Sequence, residues 1–259
     1  MTDFLSEMGI VSHARVACID EVALDALARH RPLPPELMMD RFGLIAEIKF
    51  SAPSSGVLQS HPDPVAAAVE RARAYEQAGA LAISVLTEPT RFGGSLTHLA
   101  AVAEAVDIPV MRKDFLVDPA QVLEARAHGA GGVLLIIRML DDVRLDQMTA
   151  LAHELGLFVL LEAFDGDDLN RAARYPRSIV GLNCRDLSTL QVDVGRFQAL
   201  QDAFPEGVCR VAESGIASPE DARSVASMGY GLALVGSALM RSDDPKQLVA
   251  DMTAAGREK

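Results

Sequence analysis

The chain alternates between short apolar segments and longer segments in which apolar residues recur with a helical period. Eight short runs are rich in Val, Ile and Leu, at residues 43–49, 81–86, 108–113, 131–137, 157–163, 178–184, 208–214 and 231–236. Runs that are apolar on both faces are typical of parallel strands, because such strands are covered on two sides. The pattern therefore predicts eight parallel β-strands.

The segments between these runs carry the start and stop signals of helices. Residues 63–79 and 218–229 open with Asp or Ser and end with Gly, and these residue types are favoured at the caps of helices. Eight strand–helix units in 259 residues are typical of a (β/α)₈ TIM barrel, an α/β fold. A doubly wound open sheet is the main alternative, and the lack of a GxGxxG motif after the first strand disfavours it.

The segment before the first strand has a different pattern. Residues 17–30 and 34–40 indicate one or two extra N-terminal helices, packed outside the barrel or over one of its ends. No low-complexity linker interrupts the chain, and 49% hydrophobic residues suffice for one large core. We predict a single domain over 1–259, with a helical extension at 1–40 and a barrel at 41–250.

Composition limits the partners that the protein can have. A net charge of −12 and an isoelectric point near 4.9 argue against binding to nucleic acid or to an anionic membrane, since both require basic surfaces. The N-terminal residues show no signal-peptide pattern and no apolar run is long enough to span a membrane, so we expect a soluble protein that is not exported. Cys18, Cys184 and Cys209 form no CxxC motif, so neither a disulfide framework nor a zinc site is indicated. We expect a cytoplasmic monomer that binds no nucleic acid and no membrane.

Polar residues concentrate where the predicted strands end. Glu47 and Lys49 are two residues apart and therefore lie on the same face of the first strand. The other strands end with Arg112, Lys113, Glu162, Asn183, Arg185, Glu213, Ser214, Gly236 and Ser237. One such residue could be a solvated strand end, but in a barrel they meet at the face that carries active sites. Lysines and glutamates gathered there can shift one another's pKa, as acid–base catalysis requires.

Five strand-end motifs follow one another along the chain: "AEIKFSAPSSG", "MRKDFLVDP", "GLNCRDLSTL", "VAESGI" and "LVGSALMRSDDP". In this order they closely resemble the motifs of the indole-3-glycerol phosphate synthase family of tryptophan biosynthesis, over residues 40 to 250. The resemblance implies a (β/α)₈ barrel and ring closure of the phosphosugar 1-(2-carboxyphenylamino)-1-deoxyribulose 5-phosphate, with loss of carbon dioxide and water. It also implies that neither a metal nor an organic cofactor takes part.

The resemblance assigns acid–base roles to several of these residues. Lys113 matches the general acid that protonates the ketone, and Glu162 matches the acid/base group of the later dehydration. Lys49 matches a lysine that holds the substrate carboxylate or phosphate, and Glu47 matches the glutamate beside it. Asn183 and Glu213 match residues that orient the lysine and the substrate hydroxyl groups.

The resemblance also divides the rest of the site into a phosphate end and an aromatic end. The phosphate group would be held by Arg185, Ser214, Gly215, Gly236 and Ser237. The substrate ring needs an apolar wall, for which the candidates are Phe115, Phe92, Leu134 and Leu187. For the two leucines a place in the core is an equally good interpretation.

Two positions depart from the family pattern and leave alternatives open. Ala52 stands where a serine is usual, and Phe164 stands where a histidine is usual. The alternatives are a related phosphosugar enzyme, either an aldose–ketose isomerase or a paralogue acting on a modified anthranilate, and a non-catalytic phosphate-binding barrel. Two strand-end lysines, Lys49 and Lys113, favour the synthase over an isomerase. The retained buried charges favour an enzyme, because without a use they destabilise a fold.

Overall fold

Eight parallel strands close into a barrel. The computed structural model describes residues 4–54 and 56–258. Its barrel strands are β1 (Gly43–Ile48), β2 (Ala82–Leu86), β3 (Val110–Lys113), β4 (Gly132–Ile136), β5 (Phe158–Ala163), β6 (Ile179–Asn183), β7 (Arg210–Glu213) and β8 (Leu232–Val235). Each strand pairs in parallel with the next, and β1 pairs with β8 so that Gly43 lies opposite Leu232. The predicted barrel is therefore confirmed, and the open sheet is excluded.

Helices cover the outside of the barrel and its loops. They are α1 (Phe4–Val16), α2 (Glu21–His30), α3 (Pro64–Gln77), α4 (Pro89–Phe92), α5 (Leu96–Ala105), α6 (Pro119–Ala127), α7 (Asp142–Glu154), α8 (Gly166–Ala172), α9 (Gly195–Ala199), α10 (Pro219–Ser227), α11 (Ser237–Arg241) and α12 (Pro245–Arg257). Asp63 and Ser218 cap α3 and α10 with their side chains, as the sequence predicted. Within the described residues, no helix is both long and apolar enough to cross a membrane.

The N-terminal segment differs in part from the prediction. The helix expected at 17–30 is present as α2, which packs against α6. The helix expected at 34–40 is absent, and that segment has no regular secondary structure. Its neighbouring carbonyl groups, of Arg31 and Pro32, accept hydrogen bonds from Arg126, and the side chain of Leu37 is buried in the barrel interior. Helix α1, at residues 4–16, was not predicted.

Alternate residues of each strand point into the barrel. On β1, Leu44 and Ala46 pack against the surrounding helices, whereas Ile45 packs inside the barrel with side chains such as Met111 and Leu160. This apolar layer fills the lower part of the interior. Because Glu47 has the same parity as Ile45, its charge lies above this layer, at the carboxyl ends of the strands.

Candidate active site

A cavity of about 330 Å³ lies at the carboxyl ends of the strands. All the acid–base, phosphate-site and aromatic-wall candidates from the sequence line it. It is also lined by side chains that were not predicted, among them Phe4, Leu86, Asp114, Val192, Ile216, Leu234 and Arg241. The strand-end residues therefore share one site, although what each does there remains a prediction.

Lys113 lies between two carboxylates at the centre of this cavity. Its Nζ is 3.1 Å from Oε2 of Glu162 and 3.3 Å from Oε2 of Glu213. Burial lowers the pKa of Lys113, but the nearby carboxylates, Glu162 foremost, more than offset this and raise it. The side-chain amide of Asn183 donates a hydrogen bond of 2.9 Å to Oε1 of Glu162. The ammonium group is thus charged at neutral pH and held in place by Glu162, which is itself held by Asn183.

Glu213 is a carboxyl group of the cavity whose burial is not fully offset by nearby positive charge. It is almost fully buried, and burial raises its pKa to about 8, with Lys113 opposing and Glu162 adding to the shift. Its Oε1 has no hydrogen-bond partner among the described residues. A carboxyl group of this kind can carry a proton at neutral pH, which suits a group that orients substrate hydroxyls or exchanges protons.

Glu47 and Lys49 form the second ion pair of the cavity. Nζ of Lys49 lies 2.6 Å from Oε1 of Glu47. Burial raises the pKa of Glu47, but Lys49 and Lys113 bring it below its usual value. Glu47 is therefore ionised, and it orients the ammonium group of Lys49 at the edge of the site.

Arg185, Ser214 and Gly215 lie on loops that follow β6 and β7. The guanidinium group of Arg185 donates a hydrogen bond of 2.9 Å to the carbonyl oxygen of Leu190, and its backbone amide donates to Oδ1 of Asn183. Burial lowers the pKa of Arg185. Ser214 has φ 66° and Gly215 has φ 89°. A non-glycine residue in this region is uncommon and concentrates at functional sites.

Aromatic side chains form one wall of the cavity. The ring of Phe115 lies 6.0 Å from that of Phe92 and 5.7 Å from that of Phe4, the latter in an edge-to-face arrangement. Leu134 and Leu187 line the cavity as well. The sequence did not reveal Phe4, which α1 brings to the site from the predicted N-terminal extension.

Arg112 does not line the cavity, although it is adjacent to Lys113 in the sequence. Its buried guanidinium group lies 2.8 Å from Glu124 and 3.3 Å from Asp114. Asp114 also binds Arg15 of α1 at 2.7 Å, and these arginines bring its pKa down to about 2 despite burial. This buried network ties α1, and with it Phe4, to the end of β3.

Ala52 and Phe164, the two departures from the family pattern, do not line the cavity. The backbone amide of Phe164 donates to Oδ2 of Asp168, and the guanidinium group of Arg138 lies 4.5 Å from the centre of its ring. Ala52 is buried in a two-residue strand paired with Gly56. Within the described part of the chain, no group of three or more His, Cys, Asp or Glu side chains is arranged to hold a metal ion.

Comparison with known proteins agrees with this geometry. A family model described as indole-3-glycerol phosphate synthase matches residues 9–252. The chain belongs to the indole-3-glycerol phosphate synthase family. A member from Parafrankia sp. (strain EAN1pec) is 49% identical over 220 residues, which are 85% of this chain and 81% of the relative. Another from Mycobacterium leprae (strain Br4923) is 42% identical over 247 residues, 94% of this chain and 89% of the relative.

Solved structures of other proteins resemble this chain in fold but hardly in sequence. The 3-hexulose-6-phosphate synthase of Salmonella typhimurium superposes with a TM-score of 0.68 at 13% identity, covering 83% of this chain and 98% of that one. The resemblance recognised in the strand-end motifs is confirmed. Because the matched relatives bear the name of the indole-3-glycerol phosphate synthase family, the comparisons favour the synthase over an isomerase or a non-catalytic barrel.

Proposed function

We propose that this cavity converts 1-(2-carboxyphenylamino)-1-deoxy-D-ribulose 5-phosphate into indole-3-glycerol phosphate, carbon dioxide and water. The observation that carries the proposal is the position of Lys113, whose Nζ lies 3.1 Å from Glu162 and 3.3 Å from Glu213. The same cavity is lined by aromatic side chains and by the anion-binding candidates. A substrate with an aromatic ring at one end and a phosphate group at the other suits a cavity with both kinds of lining.

Lys113 acts in the first step as the general acid. When the aromatic carbon attacks the ketone, negative charge develops on the ketone oxygen, and the charged ammonium group stabilises this oxygen and protonates it. The carboxylate of the substrate then leaves as carbon dioxide, and its bonding electrons restore the conjugated ring. Lys49 holds an anionic group of the substrate, and Glu47 holds Lys49 at 2.6 Å.

Glu162 acts in the second step, the loss of water. It passes a proton to the departing hydroxyl group, which leaves as water, and it takes back the proton that the ring carbon beside the nitrogen releases as the carbon–carbon double bond of the indole forms. Asn183 holds one oxygen of Glu162 at 2.9 Å, which leaves the other oxygen for Lys113 and the substrate. Glu213 orients the hydroxyl groups, and its high pKa allows it to do so as a neutral donor.

The two ends of the substrate are bound by different chemistry. Phe115, Phe92, Leu134 and Leu187 pack against the ring, with Phe4 at their edge. Arg185, Ser214, Gly215, Gly236 and Ser237 bind the phosphate group. We further propose that the enzyme works as a cytoplasmic monomer without a metal or organic cofactor.

The decisive experiment is a direct assay with the purified protein. Incubation with the carboxyphenylamino-deoxyribulose phosphate should produce indole fluorescence and release carbon dioxide, both without added metal and in the presence of a chelator. Inorganic phosphate should compete with the substrate. Activity that a chelator abolishes and magnesium or zinc restores would overturn the metal-free mechanism, and substrate turnover without carbon dioxide release would overturn the reaction itself.

A further inference from the structure

Arg241 is a cavity residue to which the proposed mechanism gives no role. It lines the site together with Ser237 and Ala238, yet its side chain is exposed to solvent. We infer that Arg241 is a second guanidinium ligand of the substrate phosphate and determines the preference for a phosphorylated substrate. This inference rests on the proposed function and adds a residue to its phosphate end.

The position of Arg241 follows from the helix that carries it. Ser237 and Arg241 are four residues apart on α11 and therefore lie on the same face of the helix. The opposite side of the helix is fixed, because Leu239 and Met240 are buried. Arg71 donates a hydrogen bond of 2.9 Å to the carbonyl oxygen of Leu239. Arg241 is thus presented to the cavity from a rigid support.

The balance of charge in the cavity leaves Arg241 without a counter-ion. Four cationic side chains line it, Lys49, Lys113, Arg185 and Arg241. Both lysines are paired with glutamates at 2.6 to 3.3 Å. Among the described residues, no carboxylate lies within ion-pair distance of either arginine. The two guanidinium groups are therefore the cavity cations that no carboxylate neutralises, so they are the ones best suited to a permanently charged anion.

The chemistry of the substrate matches two permanent positive charges. A phosphate monoester carries roughly −1.5 to −2 charges at pH 7, and it keeps them throughout the reaction, whereas the carboxylate leaves as carbon dioxide. Arginine stays charged in proteins and presents a planar fork that fits phosphate oxygens. A group that remains charged from substrate to product needs partners that do not take part in proton transfer, and Arg185 and Arg241 meet that condition.

The test compares Arg241→Gln and Arg241→Lys with Arg73→Gln, a control that removes the same charge from an exposed arginine outside the cavity. Binding of inorganic phosphate is measured by calorimetry. KM and kcat are measured for the phosphorylated substrate and for the same compound without its phosphate group. Since Arg241 is exposed, its replacement leaves the packed core unchanged.

Arg241→Gln should weaken phosphate binding and raise KM about tenfold, which corresponds to roughly 1.4 kcal/mol, with kcat nearly unchanged. The phosphate affinity and KM of Arg241→Lys should lie between those of Arg241→Gln and the wild type. Arg73→Gln should have the phosphate affinity and KM of the wild type. The dephosphorylated compound should not distinguish Arg241→Gln from the wild type. Equal phosphate affinity in Arg241→Gln and wild type overturns the inference. If the wild type fails to close the ring, the proposed function fails, but the phosphate affinities still decide the role of Arg241.

Discussion

Gly181 on β6 leaves the space that the carboxylate of Glu213 occupies on the neighbouring strand β7. A Cβ atom at position 181 would overlap Oε1 of Glu213 and would lie 3.1 Å from Cδ1 of Leu160. Gly236 has the same relation to Glu47, because a Cβ atom there would overlap the Glu47 carboxylate and approach Nζ of Lys49 to 3.1 Å. Each of these two buried carboxylates therefore lies against a glycine from an adjacent part of the barrel.

Replacing Gly181 with alanine should displace Glu213 and, through it, Lys113. A shift of a catalytic group by about 1 Å can lower the rate by up to ~10²-fold, and overpacking should lower the free energy of unfolding by about 1–3 kcal/mol. Gly166→Ala is the matched control, because nothing lies within 4 Å of a Cβ atom there. Steady-state kinetics and urea denaturation of both variants test this, and an unaltered kcat in Gly181→Ala would contradict it.

Lys113→Ala should abolish ring closure while the barrel remains folded. Removing a positioned general acid lowers kcat by ~10²–10⁴-fold, and the side chain lies in the cavity above the apolar layer of the barrel. Lys246→Ala, at an exposed position on α12, serves as the control. Circular dichroism establishes folding, and fluorescence of the indole product measures activity. Near wild-type turnover in Lys113→Ala would show that another group supplies the proton.

Glu162→Gln should slow turnover with little effect on KM. The amide keeps the shape of the side chain and its contact with Asn183, but it cannot transfer a proton in the dehydration step. We expect a loss of ~10²-fold or more in kcat. A large rise in KM at constant kcat would instead identify Glu162 as a residue that binds substrate and transition state equally.

The pKa of Glu213 predicts how stability depends on pH. Burial raises this pKa from 4.5 to about 8, so the folded protein holds a proton between these values that the unfolded chain has released. The folded state is stabilised by that proton at low pH, and the contribution is lost as the pH rises through about 8. The free energy of unfolding of wild type minus that of Glu213→Gln, from urea titrations, should therefore fall from about pH 5 to about pH 9. A difference that is constant over this range would refute the raised pKa.

Phe4→Ala should weaken substrate binding without disturbing proton transfer. A contact between Phe4 and the substrate ring should contribute about 0.5–1.5 kcal/mol, as in typical aromatic pairs, so KM should rise by roughly three- to tenfold. Phe4→Leu, which keeps an apolar side chain, should recover part of the loss. If KM is unchanged in both variants, the ring of the substrate does not reach α1.

The sequence predicts those parts of the structure that depend on residues close to one another along the chain. The strands follow from apolar runs, and the inward direction of Glu47 and Lys49 follows from alternation. Arg112 and Lys113 are adjacent, so only one of them can face the cavity, and the register of β3 decides which. The family motif identified Lys113, and the network around Arg112 became visible only in the structure.

The N-terminal segment was predicted only in part: α2 was expected, but α1 was not, because the partners of α1 are distant in sequence. Helix α1 buries the polar side chain of Ser12, which accepts a hydrogen bond of 2.9 Å from Gln121. Its Arg15 pairs with Asp114. Polar residues with such partners look like exposed positions in a sequence, so the apolar period of α1 is interrupted. The irregular segment at 34–40 likewise depends on distant partners, because Arg126 binds the carbonyl group of Arg31 just before it and Leu37 is buried with the side chains of the barrel interior.

The pairing of β1 with β8 joins the beginning of the barrel to its end, with Gly43 opposite Leu232. During synthesis on the ribosome, β1 therefore cannot pair with β8 until nearly the whole chain has emerged. Until then the unfinished sheet has unpaired edges at both sides, and pairings this distant form slowly. A chain that stops before β8 would leave those edges open permanently, so early termination should produce an aggregating fragment that a chaperone or protease must remove.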